Sequence, residues 1–189
     1  MILGITGGTG CGKTTLLKEI EKRGGLVLDC DAVYHELLTR DMDLLNAIEH
    51  RFPGVVVDKK LERKKLGAIV FADDAALKDL NAITHGAIKA EIVRRLSENP
   101  ALAAIDAIAL FEGGLAQLCD ATVAITAPRE DRIERLMNRD GISREYAQNR
   151  INAQKSEGWF REMCTYTLYN NGTQEEFLVK CSEFLDSVL

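Results

Sequence analysis

The run Gly7-Gly8-Thr9-Gly10-Cys11-Gly12-Lys13-Thr14-Thr15 satisfies the pattern G-x-x-x-x-G-K-[ST] at every fixed position, directly after the apolar segment 1–6. The residue types follow from the chemistry. Glycines let backbone N–H groups close around phosphates, the lysine ammonium reaches the β and γ oxygens, and the threonine hydroxyl ligates magnesium. The segment before the loop reads as a strand. The segment after it, Thr14 to Arg23, carries Leu16, Leu17 and Ile20 at helical spacing and stops at Gly24-Gly25. Strand, glycine-rich loop and helix in that order imply a nucleoside triphosphate site. Gly8, Gly10, Cys11, Gly12, Lys13, Thr14 and Thr15 are its expected nucleotide-binding residues, with Thr14 as the metal ligand.

Beyond the loop, apolar β-branched segments alternate with longer amphipathic ones, the arrangement that builds parallel sheets through helical crossovers. The expected class is α/β, a three-layer phosphate-loop fold with a central parallel sheet. Strands are expected at Ile2–Thr6, Leu26–Leu28, Ile105–Leu110, Thr122–Ile125 and Thr167–Tyr169. A mostly helical insertion, with Asp43–His50 and Arg63–Leu96 as its helices, falls between the second and third strands and is the expected place for an acceptor substrate. Arg129–Asp140 and Ser143–Gln154 read as a helical pair hinged at Gly141, a lid, and Thr173-Gln174-Glu175-Glu176 as the capping box of a final amphipathic helix. The whole is expected to be one kinase-like domain. Its core covers about 1–42, 101–128 and 163–189, its insertion about 43–100 and its lid about 129–162.

Composition excludes several classes. The 189 residues, 46% hydrophobic and 28% charged, suit one sizeable core, and no apolar run is long enough to cross a bilayer. The N-terminal stretch lacks a basic flank and runs into the phosphate loop, so it belongs to the fold rather than to a secretion signal, and a cytoplasmic location is expected. A net charge of −5 argues against large nucleic acids as partners. Five widely spaced cysteines, with no CxxC, argue against zinc and against a disulfide framework. A small molecule remains as the expected partner; oligomeric state is not readable.

Other residues carry chemistry by position. Asp29-Cys30-Asp31 ends the second strand, where carboxyl ends of parallel strands border a ligand crevice. Asp31, nearest the mouth, is the expected general base; each aspartate also reads as a helix cap. Arg132, Arg135 and Arg139, at i, i+3 and i+7, share one helix face that can close over phosphates or pair with Glu130, Asp131 and Glu134. Glu112 closes the apolar stretch that begins at Asp106, and reads as a magnesium or hydroxyl contact or as a cap. His85 lies on a helix pattern, where a histidine is more often structural than a ligand. Lys59, Lys60, Arg63, Lys64 and Lys65 make a basic cluster, a solvated face or a pyrophosphate contact. Cys11, beside a lysine and at a helix amino end, reads as a thiolate whose alkylation blocks ATP.

In order, these stretches resemble those of the dephospho-CoA kinases nearly end to end. The family's T-G-G-x-G-x-G-K-[ST]-T, D-x-D, L-D-R, v-F, H-P, D-x-P-L-L-F-E, Q-x-x-R-L-x-x-R, R-x-x-x-Q and N-x-G match Thr6–Thr15, Asp29–Asp31, Leu61–Arg63, Val70-Phe71, His85-Gly86, Asp106–Glu112, Arg132–Arg139, Arg150–Gln154 and Asn170–Gly172. The resemblance implies ATP- and Mg2+-dependent phosphorylation of the ribose 3′-hydroxyl of dephospho-CoA, the last step in making coenzyme A. It also implies that Lys13, Asp31 and Arg139 are catalytic, that Arg63, His85 and Glu112 face the acceptor, and that Asn170 lies by the adenine. Glu62, Gly86, Ile108, Ala109, Arg132 and Thr165 depart from the family pattern.

Two other readings fit the phosphate loop. One is a kinase of the same fold acting on a nucleoside or nucleotide, against which the D-x-D and the His85 region argue. The other is a nucleotide-hydrolysing switch, against which the absence of an N-K-x-D string and the arginine-rich lid argue.

Overall fold

The computed structural model describes residues 1–189. Five strands form a sheet: β1 (Ile2–Thr6), β2 (Leu26–Asp29), β5 (Ala103–Asp106), β6 (Ala121–Thr126) and β7 (Tyr166–Tyr169), in the spatial order β2-β5-β1-β6-β7. β1 runs parallel to β5, pairing Leu3 with Ala104, and parallel to β6, pairing Gly4 with Thr122. β6 and β7 are parallel as well, with Val123 opposite Tyr166. β1 therefore sits at the point where the connections switch sides, and its carboxyl end opens onto the crevice that such sheets use for ligands. β3 (Val56–Val57) and β4 (Lys60–Leu61) make a separate antiparallel hairpin.

The chain divides into two compact units, Met1–Leu28 with Asn99–Leu189, and Asp29–Glu98. In the first, α1 (Lys13–Lys22) and α9 (Gln174–Val188) pack on the sheet. Leu3, Ile5, Leu16, Ile20, Val123, Ile125, Phe177 and Leu185 close a core from which water is excluded. Each such side chain contributes roughly 1.5–3 kcal/mol relative to exposure. α9 begins where the sequence places it: the Thr173 hydroxyl accepts from the Glu176 N–H while the Glu176 carboxylate accepts from the Thr173 N–H. α6 (Arg129–Asp140) and α7 (Arg144–Asn152) form the expected pair around Ile133, Leu136, Ala147 and Ile151, and Gly141 ends α6 in the left-handed conformation. A short helix follows, α8 (Glu157–Met163), capped by Ser156.

The second unit is helical: α2 (Cys30–Arg40), α3 (Met42–Arg51), α4 (Arg63–Val70) and α5 (Asp74–Leu96), with Val33, Leu37, Leu45, Ile48, Leu66 and Ile92 buried. The expected helix over 63–96 is broken. Asp73, in extended conformation, turns its carboxylate onto the Ala75 N–H and starts a new helix. One buried carboxylate ties this unit together. Glu91 of α5 is 8% exposed and accepts from Arg94 and Arg95 of its own helix and from Arg40 of α2, while Arg95 also reaches Glu36. No helix of the protein is long and apolar enough to cross a membrane.

Candidate active site

The phosphate loop leaves β1 at Gly7 and enters α1 at Lys13. Gly12 is the N-cap of α1, with φ 98°, and a Cβ there would lie 2.4 Å from the Asn170 amide nitrogen. Both the left-handed backbone and the close approach of Asn170 exclude a larger residue. Lys13 Nζ donates to the Gly7 carbonyl at 3.2 Å, folding the side chain back over the loop, and stands 3.9 Å from Asp106 Oδ1. Sequence reasoning did not single out Asp106. It took the strand to run from Ile105 to Leu110 and looked to Glu112, whereas β5 stops at Asp106 and the chain then turns, leaving Glu112 exposed. The carboxylate at the strand end, beside the loop lysine, is thus Asp106. Its place as the first residue of the D-x-P-L-L-F-E match was the available signal.

Asn170 follows β7 and is 6% exposed. Its Nδ2 donates to the Cys11 carbonyl at 3.0 Å, and its Oδ1 is 3.5 Å from Arg135 Nη2. With Gly12, Thr15, Arg135, Gln174 and Phe177 it lines a cavity of about 320 Å³ beside the start of α1. Gln174 and Phe177 were not foreseen, because the final helix reads from sequence only as a packing element. Thr14 is exposed on the first turn of α1, and Gly8 and Gly10 lie against Arg132.

The three arginines of α6 part company. Arg132 is buried and donates through Nε to the Thr9 carbonyl at 2.8 Å; Arg135 donates to the Gly10 carbonyl at 3.2 Å. Arg139 instead grips Asp140 with two hydrogen bonds, at 2.6 and 2.9 Å, and Arg150 joins the same carboxylate. That pairing, with Arg139 first and Arg150 second, holds the Asp140 pKa down at about 2.

Cys11 requires a correction. The residue is 1% exposed and belongs to the core with Leu3, Ile5 and Leu16, so its side chain is not open to solvent. Burial pushes the thiol's pKa up, outweighing the pull of Lys13 and Arg132 toward the thiolate. Only its backbone remains as a loop contact.

In the second unit, Asp29 takes the capping role: its carboxylate accepts from the N–H groups of Asp31 and Ala32 at 2.8 and 3.1 Å. This leaves the Asp31 carboxylate exposed on the first turn of α2. His35 Nδ1 lies one turn on, 2.7 Å from the Asp31 carbonyl. Arg63 is exposed at the start of α4, and its charge is felt by the Tyr34 phenol, whose pKa burial nevertheless raises. His85 is partly exposed in the middle of α5.

A phosphate loop is a feature many kinases share, and comparison narrows the field. The family model for dephospho-CoA kinase matches residues 1–176. The chain is 33% identical to a dephospho-CoA kinase of Lactobacillus johnsonii, over 98% of this chain and 97% of that one. It is 37% identical to that of Deinococcus radiodurans, over 92% of this chain and 85% of the relative. Among solved structures, a Thermus thermophilus protein superposes with a TM-score of 0.83 at 32% identity, covering 100% of this chain and 98% of that one. A dephospho-CoA kinase from Campylobacter jejuni follows at 0.70 and 26%, covering 99% and 96%. A shikimate kinase from Bacteroides thetaiotaomicron shares the fold alone, at 0.57 and 15% identity. The chain belongs to the dephospho-CoA kinase family.

Proposed function

We infer that the protein transfers the γ-phosphoryl group of ATP to the ribose 3′-hydroxyl of dephospho-CoA, giving coenzyme A. The observation that carries this reading is a family match extending through the phosphate loop, the helical second unit and the arginine helices alike. In such a transfer the protein contributes positioning and charge stabilisation more than covalent chemistry. Lys13, now folded onto the Gly7 carbonyl, swings to the β and γ oxygens when nucleotide enters. The loop N–H groups hold the phosphates, and the cavity at Asn170, Gln174 and Phe177 takes the adenine. Asp31, exposed on the first turn of α2, accepts the proton of the attacking hydroxyl. Arg63, His85 and Glu112 are assigned to the acceptor, and Arg139 acts on the transferred group once it exchanges Asp140 for phosphate.

The donors near Lys13 suit magnesium, a hard cation that prefers oxygen: the Thr14 hydroxyl is exposed on the first turn of α1, and Asp106 lies beside Lys13. Thr14 would hold the ion, with Asp106 orienting its water; bound there, it would neutralise charge on the β and γ oxygens. We place the reaction in the cytoplasm, with its supply of ATP, and its partner is the small acceptor molecule.

The test is a coupled ADP-release assay with ATP and magnesium, run with dephospho-CoA and with a panel of nucleosides and nucleotides, followed by mass spectrometry of the products. Phosphorylated dephospho-CoA is the expected product. ADP release with only another acceptor, or with none, would withdraw the acceptor assignment and keep the nucleotide site.

A further inference from the structure

Arg132 stands where the family pattern has glutamine, and its surroundings give the added charge a task. The residue is 9% exposed and lies against Gly8 and Gly10 of the phosphate loop. Its Nε donates to the Thr9 carbonyl at 2.8 Å and its Nη2 to Gln154 Oε1 at 3.1 Å; the same Gln154 oxygen accepts the Thr9 N–H at 2.9 Å. Thr9 is thereby pinned at both its N–H and its carbonyl. The fit is close, because a Cβ on Gly8 would fall 2.2 Å from Nη2, and one on Gly10 would fall 2.8 Å from the Arg132 carbonyl oxygen. Gly8 and Gly10, both invoked for phosphate binding, thus also make room for this residue.

The electrostatics are lopsided. Both hydrogen-bond partners of the guanidinium are uncharged oxygens, and burying a cation against neutral acceptors is unfavourable. Burial pushes its pKa down and the neighbouring Arg129 adds to that, while Cys11 and then Glu157 oppose it through space. A buried cation of this kind marks a candidate ligand site, and the ligand inferred for this loop is a polyphosphate.

We propose that Arg132 is a positioning residue that tunes the phosphate loop toward the triphosphate: it fixes Thr9 by hydrogen bonds, and its charge, not neutralised within its own hydrogen-bonding shell, is completed by the nucleotide's terminal phosphate. The inference rests on the loop being the ATP site, as inferred above. Its role is on ATP affinity and on the preference for ATP over ADP, with the acceptor untouched.

The test measures dissociation constants for ATP and ADP, and KM for both substrates, in the full chain and in Arg132→Gln, Arg132→Lys, Gln154→Ala and Lys13→Ala. Glutamine at 132 is the family's own residue, so that variant is expected to fold. In it, ATP binding weakens about tenfold, the scale of one partly buried charge, ADP binding about twofold, and KM for dephospho-CoA stays put. Arg132→Lys keeps the charge and most of the preference for ATP; Gln154→Ala, which loses only hydrogen bonds, keeps it too. Equal losses for ATP and ADP, or a Gln154→Ala effect as large as that of Arg132→Gln, would reduce Arg132 to a structural support and overturn the proposal. So would unchanged ATP affinity in Arg132→Gln while Lys13→Ala abolishes binding, which leaves the ATP site standing. A chain that binds neither nucleotide, indifferent to Lys13, would instead bring down the reading of the loop, and this inference with it.

Discussion

The two units of the protein each bury a charge, and they treat it in opposite ways. In the helical unit the Glu91 carboxylate is surrounded by Arg40, Arg94 and Arg95, with hydrogen bonds of 2.7 to 2.8 Å, so its charge is answered within the unit. In the sheet unit the hydrogen bonds of the Arg132 guanidinium go to a carbonyl and an amide oxygen, with the Glu157 carboxylate acting only through space. Lys13 nearby donates to a carbonyl and makes a loose ion pair with Asp106 at 3.9 Å. A buried charge with matched counter-charges holds a fold together; a cation left with neutral partners prepares a place for an anion from outside. The contrast gives a physical criterion for telling scaffold from the proposed site, and it can be attacked from either side.

The largest effect should come from Lys13→Ala. If the sheet unit's cations serve the ligand, this variant loses turnover by about 1,000-fold or more, with ATP binding lost and the thermal midpoint almost unmoved. Steady-state kinetics beside a melting curve decides it: a large drop in stability would show that the lysine belongs to the scaffold after all. Asp31→Asn comes next. The neutral amide keeps the shape at the first turn of α2 and, since Asp29 supplies the cap, leaves the helix start intact. Turnover should fall about 100- to 1,000-fold while ATP affinity holds. An active Asp31→Asn enzyme would remove the base assignment.

Glu91→Gln probes the other side. It leaves three arginines facing a neutral amide and should cost about 2 kcal/mol of stability in chemical denaturation, with the ATP dissociation constant unchanged. Acid gives the same information. Hydrogen bonds from Arg94 first, then from Arg95 and Arg40, hold the Glu91 carboxyl well below the usual carboxylate range, against the opposing effect of burial. The unfolded chain therefore binds this proton more readily than the folded one. The stabilisation is complete above about pH 5 and drains away as pH falls toward the folded value. Glu91→Gln should flatten that acid limb of the stability curve; an unchanged slope would mean that Glu91 is no anchor.

What the sequence disclosed follows from how local each feature is. The capping box at Thr173 and Glu176, the stop at Gly141 and the phosphate loop are settled within a few residues, and each stands where the pattern put it. The third long strand was displaced because Ala107 to Leu110 is as apolar as the strand before it. Leu110 is indeed fully buried, but in a turn, and periodicity does not tell a buried turn from a buried strand. The seven-residue α8 is too short to show a period. Helical spacing placed Arg132, Arg135 and Arg139 on one face, yet the first two meet Thr9 and Gly10, far away in sequence, while Arg139 turns to the adjacent Asp140. Asp106 beside Lys13, and Gln154 beside Thr9, are likewise products of the tertiary fold, which no local pattern encodes.

The smallest effect concerns Cys11, and it bears on the contrast most directly. A thiolate at Cys11 would be the counter-charge that Arg132 lacks, since the two groups influence each other electrostatically. The geometry denies it that role, because the sulfur is enclosed by core side chains and burial keeps it a thiol despite two cations nearby. Alkylation followed by peptide mapping should therefore modify the partly exposed Cys164 and Cys119 before Cys11, with activity surviving those first events and ATP adding little protection. Burial ranks these sites more firmly than acidity does, for the Cys119 thiol is itself pushed up to about 12. Rapid labelling of Cys11, prevented by ATP, would mean that the loop already carries its own anion. Arg132 would then be a paired charge like Glu91, and the distinction between the two units would collapse at the residue on which it depends.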